Sequence, residues 1–174
     1  MTDLEVRITT YPAIPLADIT PLEKLFLSNV LECSETEDGL IPFTDTGPRN
    51  PIRVRQHELI QAFEASKHQI QSALNAFVAT CVLGLFPGGA LDPDAVVDID
   101  LNEFPWLFIV QDIVARSATL REVIVIQWIN HLSQRPETFG ASVSLITAKA
   151  IHHATSEDLL TRFRMLDTFP QHES

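Results

Sequence analysis

The chain has 174 residues, 45% of them apolar and 20% charged, which suits a single globular domain spanning 1–174 with a core large enough to need no disulfide or metal staples. Its net charge is −11, concentrated in residues 1–50 (nine acids, three bases) and 92–103 (five acids, no base), while 51–91 and 104–174 stay within one charge of neutral. Clustered Lys and Arg able to neutralise phosphates are missing, so no nucleic-acid partner is expected, and the longest apolar run, residues 106–110, falls far short of the ~20 residues of a membrane span, so no membrane partner is expected either.

Arg7, Asp3 and Glu5 interrupt the N-terminus where a signal peptide would be apolar. Cys33 and Cys81 sit in helix-like apolar patterns, where a thiol packs as a small hydrophobe. Both features point to a cytoplasmic protein with free thiols.

In chain order, residues 4–10 alternate Leu4, Val6 and Ile8 with Glu5, Arg7 and Thr9, the period of a half-buried strand. Thr20-Pro21-Leu22-Glu23 is a capping box with proline at the first helical position, and Leu22, Leu25, Phe26, Val30 and Leu31 continue the helix. After the acidic turn Glu35-Thr36-Glu37-Asp38-Gly39, the residues Leu40, Ile41 and Phe43 form a short strand that Pro42 assigns to a sheet edge. Residues 44–51 read as an exposed loop. The longest helical signal follows, from Ile60 to Cys81, and a second capping box at Ser66-Lys67-His68-Gln69 predicts that it breaks into two helices.

Residues 96–101 alternate as a strand, Pro105 opens a helix over 106–117, and 123–129 is apolar on both faces, as a central strand would be. A β-α-β crossover is the natural connection between those two strands. Residues 132–140 are a hairpin loop to a half-exposed strand over 141–147, where Val143 and Leu145 alternate with Ser142 and Ser144. Thr155-Ser156-Glu157-Asp158 caps a last helix striped by Leu159, Leu160, Phe163 and Leu166. About five strands and five helices in this order predict an α+β fold: a two-layer domain with a mixed sheet, the alternative being a three-layer α/β sandwich.

The string Trp106-Leu107-Phe108-Ile109-Val110-Gln111-Asp112-Ile113-Val114-Ala115-Arg116-Ser117, with Thr119-Leu120, Arg135-Pro136, Phe139-Gly140, Leu145-Ile146-Thr147-Ala148 and Ala150-Ile151, resembles a family of uncharacterised bacterial proteins found on plasmids and integrative elements. The resemblance covers residues 106–166 and, more weakly, 18–33. That family has no assigned activity, so the resemblance implies no functional residue.

No motif marks a catalytic residue, a cofactor or a metal site. Phosphate-binding, dinucleotide-binding, nucleophile-elbow and zincin patterns are missing. Asp92, Asp94, Asp98 and Asp100 lack the Gly and distal Glu of a calcium loop, and adjacent His152 and His153 diverge whether in a strand or a helix. The candidate contacts are Trp106, Asp112, Arg116, Arg135 and Phe139. Asp112 and Arg116, four apart, can pair on one helix face; Arg116 could instead meet an anion with Arg135, and Arg135 and Phe139 are residue types that anchor interfaces.

Three functions fit. The first is a non-catalytic interaction or regulatory protein that forms a homodimer or binds another protein, a reading encouraged by a mean hydropathy of +0.11 and by a sheet face with no obvious cover. The second is an enzyme or small-ligand binder with a pocket between helix 106–117 and the 132–140 loop. The third is an acidic mimic of DNA.

Overall fold

The computed structural model describes residues 4–69, 71–82, 95–131 and 139–168. Eight strands and five α-helices follow one another as β1 (Leu4–Tyr11), α1 (Pro21–Val30), β2 (Glu32–Thr36), β3 (Gly39–Thr44), β4 (Ile52–Arg55), α2 (Gln56–Ser66), α3 (Ala73–Phe77), β5 (Val96–Ile99), α4 (Trp106–Arg116), β6 (Glu122–His131), β7 (Phe139–Thr147), β8 (Ile151–Thr155) and α5 (Ser156–Thr168). Six strands form one sheet in the order β2-β3-β1-β6-β7-β8, and β4 and β5 form a separate two-stranded one. The fold is α+β.

The start of α1 has a local cause. The Thr20 hydroxyl accepts from the Glu23 N–H at 3.3 Å and the Glu23 carboxylate accepts from the Thr20 N–H at 2.9 Å, closing the capping box of α1. In α4 the buried residues are Trp106, Ile109, Val110, Ile113 and Val114, the i, i+3, i+4, i+7, i+8 stripe of a helix lying on a core. That stripe meets β6 and β7, and α1 packs against α2, α3 and α4. The core between layers is built from Phe26, Leu22, Leu27, Ile109 and Ile113 on the helices and Ile8, Leu40, Val123, Val125 and Ile146 on the strands, each such side chain contributing about 1.5–3 kcal/mol by burial.

Several sequence expectations are corrected. Among the described residues every strand pairing is antiparallel, so the six-stranded sheet is not mixed in strand direction. The strand at 96–99 pairs with β4 and not with β6; α4 therefore links two sheets instead of making a crossover within one. Three strands lie outside the expected set: β2 and β8 are polar and lack a period, while β4 does alternate as Ile52-Arg53-Val54-Arg55 but over four residues only; Cys33 lies on β2, not on a helix.

Pro42 is not on an edge, because β3 sits between β2 and β1. Its carbonyl accepts from the Thr10 hydroxyl at 2.7 Å. The nitrogen and carbonyl of one residue face the same neighbouring strand, so the missing N–H points at β1 just where that ladder stops at the Thr9–Phe43 pair. The helical break near Ser66 does occur, yet Ser66 does not cap the next helix. It is fully buried and its hydroxyl accepts from the Leu22 N–H at 3.0 Å, supplying one of the free donors at the start of α1. Ser72 caps α3 instead, accepting from the Asn75 N–H at 3.3 Å.

The β2–β3 hairpin turns on Gly39, whose φ of +136° lies in the region that favours glycine. Leu40 and Ile14 exchange two backbone hydrogen bonds of 2.8 Å beside it, and a Cβ on Gly39 would lie 2.2 Å from the Ile14 carbonyl oxygen. Gly39→Ala is therefore expected to lose about 3 kcal/mol or more of stability in chemical denaturation; an unchanged midpoint would contradict this geometry.

Candidate functional site

Two features stand out: a buried charged pair bordering a cavity, and an uncovered sheet face. The pair is Glu23 with Arg116, whose guanidinium donates to the Glu23 carboxylate at 2.7 Å, with the Glu23 side chain fully buried and that of Arg116 only 13% exposed. Arg116 also donates to the Asp18 carbonyl at 3.2 Å, and Ser117 donates its hydroxyl proton to the Asp18 carboxylate at 2.6 Å. One carboxylate oxygen thus serves both the capping box and the ion pair. The other, Oε1, is buried with no hydrogen-bond partner, as is Nη1 of Arg116.

Arg116 lines a cavity of about 350 Å³ with Ala17, Asp18, Ile19, Thr20, Pro21, His68 and Gln69. None of these lining residues belongs to β6 or β7, and the expected pocket between α4 and the 132–140 loop falls largely on residues 132–138, which lie outside the described residues. Arg135 lies outside the described residues, as does the side chain of Phe139.

The other sequence candidates separate. Trp106 is 9% exposed, a core residue at the start of α4. Asp112 and Arg116 do not pair with each other: the Asp112 carboxylate accepts from the Ala73 N–H at 2.7 Å, at the first residue of α3. Burial pushes the Asp112 carboxyl above the usual range, outweighing the downward pull of that N–H and of Arg116. Glu23 was legible only as a capping residue. The signal for its burial was its place on the stripe with Phe26, Leu27 and Val30, three, four and seven residues on.

Among the described residues no cluster of three or more His, Cys, Asp or Glu could hold a metal. Asp98 pairs with Arg53 at 2.9 Å, and Asp100 accepts from the Asn102 N–H and from the Asn50 side chain, which lower its pKa. Asp92 and Asp94 lie outside the described residues. Cys33 is a free thiol whose pKa is raised chiefly by burial. The side chain of Cys81 lies outside the described residues. No described helix is long and apolar enough to cross a membrane.

The sheet face opposite the helices is the larger feature. Side chains directly across a strand pair share a face, so the register places Tyr11, Ile124, Leu145 and His152 in one row, Glu32, Phe43, Thr9, Ile126, Val143 and Ala154 in the next, and Arg7, Trp128 and Ala141 in a third. Tyr11 is 70% exposed, Val143 44% and Trp128 40%. β7 reverses the usual arrangement: Ser144 is buried under the helices, where its hydroxyl meets His153 Nδ1 at 2.9 Å, while Val143 faces outward.

Removing Arg116 would strand Glu23 as an unpaired buried charge. Arg116→Met is expected to cost about 3–5 kcal/mol, and Glu23→Gln combined with it to recover more than half of that, because the amide keeps an acceptor for the Thr20 N–H. A double variant no better than the single one would contradict this.

Asp112 gives a pH-dependent test. A carboxyl raised in the folded state holds its proton more tightly there than in the unfolded chain, so its contribution to stability is complete below the unfolded pKa and is lost as pH rises through the folded one. Asp112→Asn keeps an acceptor for Ala73 and removes the ionisation. It is expected to raise the Tm at neutral pH and to leave it unchanged well below the carboxylate range; a lower Tm at neutral pH would overturn the assignment.

Compared with protein-family models, with curated proteins and with solved structures, the chain matches none.

Proposed function

We propose that this chain is a non-catalytic interaction protein that self-associates through the open face of its sheet. The observation that carries the reading is the outward alternation of β7 beside β6, which sets Val143 and Leu145 next to Ile126 and Ile124 on the side the helices leave bare. Turning valine outward and serine inward at the middle of a sheet leaves apolar area unburied: Val143 is 44% exposed and so forgoes on the order of half of the 1.5–3 kcal/mol that full burial contributes, and Ile124, Ile126 and Leu145 beside it are only half-buried. A second copy covering that face supplies the burial. The pattern of a contiguous apolar patch with a sparse polar border is that of protein contact surfaces.

The cavity at Arg116 supports ligand binding less well. Its guanidinium charge is already neutralised by Glu23 and its Nη2 is held by Glu23 and the Asp18 carbonyl, which leaves, of the two terminal nitrogens, only the buried Nη1 to donate to an incoming anion.

Light scattering across a concentration series tests the proposal. The wild type is expected to be dimeric at micromolar concentration, and Val143→Asp to be a folded monomer, since a charge buried in an apolar interface costs roughly several kcal/mol. A wild type that stays monomeric at the highest concentration would overturn self-association.

A further inference from the structure

Helix α5 is as bare as the open sheet face. Leu159, Leu160, Phe163 and Leu166 form one stripe, and their exposures run from 47% at Leu160 to 66% at Leu166. Its principal contacts are with β7 and β8, the strands it leaves. A helix of this kind is held by burying its apolar stripe, since thirteen residues are marginal on propensity alone.

The stripe cannot readily turn onto its own sheet. No residue separates β8 from α5, and the junction is closed by hydrogen bonds: the Thr155 hydroxyl and N–H each donate to the Asp158 carboxylate at 2.7 Å, and the Ser156 hydroxyl accepts from the Ala141 N–H of β7 at 3.3 Å. The direction in which α5 departs is set by these bonds, so folding back over the sheet would break them.

Resting on the self-association reading above, we propose that two copies exchange α5, each laying the stripe of Leu159, Leu160, Phe163 and Leu166 across Ile126, Val143 and Trp128 of the other. The dimensions agree. Seven residues from Leu159 to Leu166 rise ~10 Å along a helix, and the open row positions from Ile124 to Trp128 span ~13 Å along β6. The exposed parts of Trp128 and Val143 with the four stripe residues of α5 amount to roughly 600 Å² per copy, and covering the neighbouring Tyr11 as well brings this to about 800 Å², the share each partner brings to a stable interface. The charges are peripheral to the contact: Arg7 on the open face pairs with Glu5, Arg164 on α5 with Glu157, and Glu32 stands at the far β2 end of the Ile126 row, three strands from β6.

The test mixes a tagged Val143→Cys chain with an untagged Phe163→Cys chain under mild oxidation, with the wild type treated in parallel to report on its native cysteines. The expected product is a disulfide between tagged and untagged chains, at least tenfold more abundant than a Val143→Cys pair. A linked pair of Val143→Cys chains without the mixed product would mean that the sheets meet face to face; it would overturn the exchange and leave self-association standing. A dimer by light scattering with neither product would likewise overturn the exchange, and a strict monomer would overturn both readings. Phe163→Asp supplies an independent measure. Its side chain lies outside the core, so the cooperative thermal unfolding of the domain should be retained while the dimer Kd rises about 30-fold or more, and an unchanged Kd would overturn the exchange.

Discussion

Strand β6 imposes the constraint from which the architecture follows. Its side chains alternate between two faces by geometry alone, and Val123, Val125, Ile124 and Ile126 make both faces apolar. Such a strand belongs at the middle of a sheet with cover on each side. It does lie in the middle, between β1 and β7, and the helical layer fully buries Val123 and nearly buries Val125. Helices α1 to α4 are all committed to that one side, through a shared core with the small β4–β5 sheet. The other face keeps its apolar residues and, among the described residues, lacks a layer. The two-layer fold and the proposed contact surface are therefore one fact seen from opposite sides of the sheet.

The helical layer is held in register by a polar device inside it. Glu23 closes the cap of α1 and grips Arg116 at the end of α4 with the same oxygen, while Ser66 at the end of α2 supplies the acceptor for the Leu22 N–H. Asn75 completes the set, donating to the carbonyls of Ser66 at 2.7 Å and Gln69 at 3.0 Å and so tying α3 to the turn after α2. Apolar packing tolerates sliding; these bonds do not. A buried ion pair is seldom a large net stabiliser, because two desolvated charges offset most of their own attraction. Its value here is positional, since any shift of α1 relative to α4 leaves a buried charge without its partner.

How far the sequence could be read depended on whether a residue's environment is set locally. The cap of α1, the apolar stripe of α4, the β6–β7 hairpin and the cap of α5 each involve residues a few positions apart, and all were legible. Strands β2, β4 and β8 were not, because Glu32–Thr36, Ile52–Arg55 and Ile151–Thr155 are short and gain their identity from a partner strand elsewhere. Pairing also decided Pro42, whose missing N–H is harmless only because the β1 ladder ends there. Asp112 and Arg116 have the spacing of a helical pair, yet each had a stronger partner on another helix: the Ala73 N–H for one, Glu23 for the other. Spacing along one helix cannot reveal such competition. The open face was legible in half: β6 announced apolar residues on both sides, but which half of β7 faced outward required the register.

The position of the charges explains why association should use the face and not an edge of the sheet. Free edges invite strand addition unless something blunts them. Edge β2 carries Glu32 and Glu35, with Lys24 bound to Glu35 at 2.6 Å, and leads into Glu37 and Asp38, so a second β2 edge would meet like charges. Edge β8 is only five residues long and passes without a linker into α5, which leaves little backbone for another strand to read. Much of the negative charge of this chain thus sits along β2 and its turn, and on the β5 side at Asp98 and Asp100; on the open face Glu32 stands at the β2 end of the Ile126 row and Arg7 pairs with Glu5. A strongly acidic protein can then keep like molecules apart over much of its surface while the β6 and β7 positions of that face, Ile124, Ile126, Trp128, Val143 and Leu145, carry no charge where they meet.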